Sequence, residues 1–146
     1  MKKIIYLVLF TTIILSTTAC SGEKTLVCTK NLDSDGAKIL NTNTLTFKND
    51  KIKVMEMEYN YELDEEYVKN AESIKSNIDK QFSEYTKYEG INYTSTLTNE
   101  NKKIKYTIQI NIDKIDDEGK KAFNITGDES YDANKLSLKE AGFNCK

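Results

Sequence analysis

Residues 103–113 read KIKYTIQINID, and the fold follows from how that stretch alternates. Ile104, Tyr106, Ile108, Ile110 and Ile112 fall on one side of an extended chain; Lys105, Thr107, Gln109 and Asn111 fall on the other. A period of two over such a run dictates a strand with one buried and one wet face, as in an antiparallel sheet covered on a single side. The cover is legible upstream. Across Glu65–Tyr88, Val68, Ala71, Ile74, Ile78, Phe82 and Tyr85 recur at three- and four-residue steps, an apolar stripe along one long helix. Asp64 stands where an N-cap belongs, Glu65 and Glu66 make an acidic first turn, and Gly90 is placed to stop the helix.

Further elements extend from these two. Ile91–Thr98 reads as a strand joined to 103–113 through the turn Asn99-Glu100-Asn101. Toward the N-terminus lie three more strands, Thr25–Lys30, Ala37–Phe47 and Ile52–Leu63, forming a meander through turns at Asp33-Ser34-Asp35-Gly36 and Asn49-Asp50. Met55, Met57, Tyr59, Tyr61 and Leu63 share one face, while the loose alternation of Ala37–Phe47 signals a bulge. After Asp116 the pattern predicts a helical turn over Glu118–Phe123. A short helix, Ala133–Ala141, then ends at Gly142 and returns Phe143 and Cys145 to the sheet. The expected class is α+β: a twisted antiparallel sheet of about five strands, one long amphipathic helix packed on one face, and a short C-terminal helix. It forms one domain, residues 25–146.

Residues 1–19 read as an export signal. Lys2 and Lys3 supply the positive start, and the apolar run Ile4–Leu15 rises only about 18 Å as a helix, short of a ~30 Å hydrocarbon core. Cleavage after Ala19 leaves Cys20 at the new amino terminus, the position at which bacterial lipoproteins carry diacylglycerol. Thr17 stands where such signals usually have an aliphatic residue, so Thr17-Thr18-Ala19 also fits an ordinary small-x-small cleavage site at the same bond. Residues 20–24 form at most a short tether, which holds the domain close to the bilayer.

The cysteine count bears on the same question. Of the three cysteines, acylation removes Cys20 and leaves Cys28 and Cys145 to pair in an oxidising compartment; two buried free thiols are the alternative. Without Lys2 and Lys3, the 21 basic residues fall to 19 against 23 acidic ones, and every basic residue is lysine. That acidic, arginine-free balance argues against nucleic acid and against planar phosphate clamps. The chain has no histidine, so Ser-His-Asp and Cys-His catalysis lack their base, and two distant thiols make no zinc site.

Three further patterns bear on chemistry. Asn31-Leu32-Asp33-Ser34-Asp35-Gly36 matches the first half of a calcium loop, but position twelve is Thr42 rather than a bidentate Glu, so the stretch reads as a turn and no metal is expected. The run Asp113, Asp116, Asp117, Glu118 reads as a solvated helix start. Tyr59, Tyr61, Tyr67, Tyr85, Tyr88, Tyr93 and Tyr106 either fill the seam between helix and sheet or form a ligand platform.

The order of elements, together with Tyr93-Thr94-Ser95-Thr96, Ile110-Asn111-Ile112-Asp113-Lys114-Ile115-Asp116 and Ala141-Gly142-Phe143, resembles the YehR family of small bacterial lipoproteins. The resemblance implies an α+β domain and a lipid anchor, with no catalytic or ligand residues to carry over.

The expected function is therefore a lipoprotein on the outer face of the cell membrane, held by lipid on Cys20. Its domain is expected to be a non-catalytic binding or envelope-interaction module, without cofactor, for a protein or small-molecule ligand that the sequence does not identify. The rival within binding is a small-molecule or lipid carrier with a pocket between helix and sheet; an enzyme ranks third.

Overall fold

A computed structural model describes residues 22–34, 36–98, 100, 102–125 and 130–146. The signal segment, Cys20, Asp35, Asn99 and Asn101 lie outside the described residues. Six strands form one antiparallel sheet: β1 (Glu23–Ser34), β2 (Ala37–Lys48), β3 (Lys51–Leu63), β4 (Ile91–Thr98), β5 (Lys103–Asn111) and β6 (Asn144–Cys145), in the order β4-β5-β3-β2-β1-β6. The sheet therefore has six strands rather than about five. The additional one is the chain end, which pairs Cys145 with Cys28 and Asn144 with Thr29. β1 begins at Glu23, inside the stretch expected to be tether, because Glu23 and Lys24 already pair with Lys48 and Phe47.

Local chemistry explains the turns. Asn49 and Asp50 take φ of 53° and 60°, and Lys48 pairs directly with Lys51. This is the two-residue hairpin whose central residues take left-handed φ, which Asn and Asp tolerate, and whose twist matches the right-handed twist of the flanking strands. Gly36 has φ of 89°, and a Cβ there would meet the Tyr67 ring at 2.5 Å, so both conformation and space require glycine. The bulge expected within Ala37–Phe47 appears as a register shift at Thr46/Phe47, with the unpaired residue, Lys53, on β3.

The long helix is not continuous. Glu65–Tyr88 divides into α1 (Glu65–Val68), α2 (Ala71–Ser83) and a 3₁₀ segment (Glu84–Lys87). Asn70, with φ of −105° and ψ of 6°, steps out of helical geometry between α1 and α2. Asparagine competes poorly in a helix interior, and the break swings Tyr67 and Val68 against Ala37 and Leu63 while α2 seats buried Ala71 on the sheet. Asp64 occupies the N-cap position, but it is its backbone carbonyl that accepts, from the Tyr67 amide. Two more helices follow, α3 (Asp117–Ala122) and α4 (Tyr131–Glu140). No described helix is long and apolar enough to cross a membrane.

α1, α2 and α4 cover one face. Ala71, Ile74, Ile78 and Val68 pack with Ile104 and Leu63; Phe82 and Tyr85 pack with Ile91, Ile108, Ile110 and Ile115. At the far side of the sheet, α4 sets Tyr131 and Leu138 against Leu26, Cys28, Leu45, Phe47 and Ile52. The apolar stripe thus packs where periodicity put it, but in three short pieces, with α4 covering strands that α2 does not reach.

Candidate functional site

The uncovered face of the sheet carries an open concavity where β1, β2, β3 and β5 run side by side. Cross-strand pairing lines up Asp33 with Lys38, Lys38 with Glu62, and Glu62 with Lys103, a row in which the sign of charge alternates from β1 to β5. Beside it a second row sets Asn31, Leu40, Asn60 and Lys105 in register. The first row and Asn31, Leu40 and Asn60 of the second line an open groove of about 700 Å³. Leu40 is 40% exposed among these polar groups, an apolar contact point ringed by amides and charges. Next along the sheet, Lys105 pairs with Glu58 at 2.7 Å, and Asn60 Nδ2 donates to Glu58 Oε1 at 2.7 Å. Burial pushes the Glu58 carboxyl up, but these hydrogen bonds and the Lys105 charge outweigh it and hold the group below its ordinary value.

The covered face holds the tyrosines, which fill the seam between helix and sheet. Tyr59 stacks on Tyr106 with centroids 4.8 Å apart, Phe82 lies 5.0 Å from Tyr106, and the Tyr61 and Tyr106 hydroxyls are 3.0 Å apart. Burial, then the Tyr61 hydrogen bond, raises Tyr106 far above the usual phenol range. At the rim, one carboxylate collects three donors. Asp79 on α2 accepts from Tyr93 Oη at 2.8 Å and Ser95 Oγ at 2.6 Å through one oxygen, and from Lys75 Nζ at 2.7 Å through the other. Burial raises Asp79, yet the bonds from Lys75, Ser95 and Tyr93 prevail and its pKa lies below the ordinary 3.8. Tyr93 is pushed up to about 12 by burial and by its bond to Asp79. Sequence reading missed Asp79; the one signal available was Lys75 four residues ahead, an i,i+4 pair.

A smaller recess, about 230 Å³, lies under α4 between Leu45, Met55, Met57 and Leu138. This is below the ~300 Å³ at which small-molecule pockets begin.

The residues singled out from sequence fare as follows. Cys28 and Cys145 form a disulfide with an S–S distance of 2.04 Å. Their α-carbons are 4.0 Å apart, because they stand directly opposite in the β1–β6 ladder. The Lys146 amide bonds the Val27 carbonyl, so the cysteines occupy the neighbouring non-hydrogen-bonded position, where strands approach most closely. Asn31 and Asp33 are strand residues two apart on β1, not the start of an ion-binding loop. Asp116 caps α3 by accepting from the Gly119 amide at 2.6 Å, and Asp113 pairs with Lys53 at 2.9 Å. Among the described residues, no three His, Cys, Asp or Glu side chains converge as a metal site would require. Asp33 lies in β1 rather than in the expected turn, and Lys38, Glu62 and Lys103 carry no motif; only strand register gathers the four.

No protein-family model matches the chain. No curated protein matches it either. Among solved structures it is similar to an NMR structure of a protein from Streptococcus pneumoniae TIGR4, at 14% sequence identity and a TM-score of 0.60, covering 85% of each chain. That likeness is one of fold.

Proposed function

We propose that this chain is a lipoprotein held on the outer face of the cell membrane through diacylglycerol on Cys20, and that its domain is a non-catalytic binding or envelope-interaction module. The Cys28–Cys145 disulfide carries the reading. A bond between residues 117 apart in the sequence persists in an oxidising compartment, and it leaves Cys20 as the unpaired third cysteine behind an export-type segment. The resemblance to YehR lipoproteins supports the same anchor. With β1 starting at Glu23, the sheet would begin within a few residues of the lipid.

The ligand surface in this reading is the groove lined by Asp33, Lys38, Leu40, Asn60, Glu62 and Lys103, whose alternating charges and amides suit a polar or zwitterionic segment of an envelope partner. The carrier alternative draws on the recess under α4, and its volume counts against a lipid or drug-sized occupant.

Metabolic labelling with a radioactive fatty acid tests the anchor. Wild type should incorporate label and sediment with membranes, and Cys20→Ala should do neither. Equal labelling of the two, or release of wild type into the medium, overturns the lipoprotein reading.

A further inference from the structure

The two edges of the sheet are guarded differently. At one edge β1 carries Glu23, Lys24, Lys30 and Asp33, and β6 shields Cys28 and Thr29. At the other, β4 reads INYTSTLT, eight residues with neither charge nor proline. Exposed edges normally carry lysine, proline or a bulge to prevent strand addition. β4 has none of these.

The register identifies which groups β4 leaves open. The Asn111 amide donates to the Gly90 carbonyl, and Ile91 pairs with Ile110, so Asn92, Thr94, Thr96 and Thr98 turn their amides and carbonyls toward β5. Ile91, Tyr93, Ser95 and Leu97 therefore turn theirs outward, and among the described residues these groups have no partner across that edge.

We infer that β4 is a homodimer interface, adding antiparallel to β4 of a second copy so that the two sheets become continuous. One register satisfies every constraint at once. With Thr94 facing Thr94 of the second copy on the two-fold axis, Ile91 stands opposite Leu97 and Tyr93 opposite Ser95. All four of these carry outward backbone groups, for about eight hydrogen bonds between chains. The same register keeps covered face with covered face. It puts apolar Ile91 beside Leu97 under the helices and uncharged Asn92 beside Thr96 on the wet side, so no like charges meet in the ladder. A shift by one residue would pair covered-face side chains with wet ones.

The test uses the full chain in detergent, with micelles in large excess. Wild type should sediment as a dimer at micromolar concentration. Thr94 is exposed on the wet side, so Thr94→Lys and Thr94→Glu should keep the wild-type circular dichroism and a cooperative melt, lower only by what the dimer contributes, and each should be monomeric from like charge on the axis. Mixed in equal amounts, the two should restore the dimer. Under mild oxidant Thr94→Cys should form an interchain disulfide, while Thr98→Cys, about 27 Å from its mate in this register, should not. A monomeric wild type, dimers of Thr94→Lys as tight as wild type, or cross-linking of Thr94→Cys only to a different protein would each overturn the proposal; the last would assign the edge to an extended segment of another partner.

Discussion

Cys145, the penultimate residue, is bonded to Cys28 in the middle of β1, so the chain end is itself an edge strand of the sheet. The bond ties the segment after α4 to the sheet beside the cluster in which Leu138 and Phe143 pack against Leu26 and Leu45. Closing a loop of this length is worth about 4–5 kcal/mol in the chain-entropy account. The double variant Cys28→Ser/Cys145→Ser should lose most of that, read as a lower urea midpoint, and hydrogen exchange should rise first in α4 and β6. An unchanged midpoint would mean that the α4 packing suffices alone.

Acid should act through Asp79. Its pKa is lowered in the folded protein, so its stabilisation is complete above the unfolded value of about 3.9 and is lost as the pH falls through the folded one. Asp79→Ala removes the acceptor shared by Tyr93 and Ser95 and should cost about 1–2 kcal/mol at pH 7, the lower end for charge-assisted bonds because the carboxylate is partly exposed. The cost should shrink toward pH 2. Urea midpoints of both proteins from pH 6 to 2 measure it.

Alkali should act through the tyrosines. Tyr93 is raised from 10.0 to about 12, so the stability linked to it is complete below pH 10 and declines as the pH climbs toward 12. Absorbance titration of phenolate should show a late step that Tyr93→Phe abolishes, while Asp79→Asn moves that step to lower pH. Titration of every tyrosine near pH 10 would contradict the Tyr93–Asp79 bond.

The buried face can be checked by paired substitutions. Phe47 is 0% exposed and meets Tyr131 edge-on at 5.3 Å, so Phe47→Ala should cost about 3–5 kcal/mol. Lys105, on the wet face with a single partner in Glu58, should cost under ~1 kcal/mol when changed to Ala. Equal shifts in the urea midpoint would put the wrong side of the sheet inside. Phe82→Ala should fall between the two, since Phe82 is half-buried yet leans on both Tyr93 and Tyr106.

The sequence by itself determined what depends on short-range repetition. Alternation along 103–113 marked β5 and its buried side, the i, i+3, i+4 stripe marked the helix that covers it, and Asn49-Asp50 marked the tight hairpin, because each records in adjacent residues which neighbour meets water. It also left Cys28 and Cys145 as the natural pair by simple count. The tertiary structure alone decided what depends on distant neighbours. It broke the long helix at Asn70, where packing of Tyr67 against Gly36 outweighs helical continuity. It placed β5 between β3 and β4 and made the chain end a sixth strand. Register, set by hairpins many residues away, gathered Asp33, Lys38, Glu62 and Lys103 into one row and aimed Tyr93 and Ser95 at Asp79. No local pattern records such meetings, since the free energy that selects them comes from burying the whole sheet face at once.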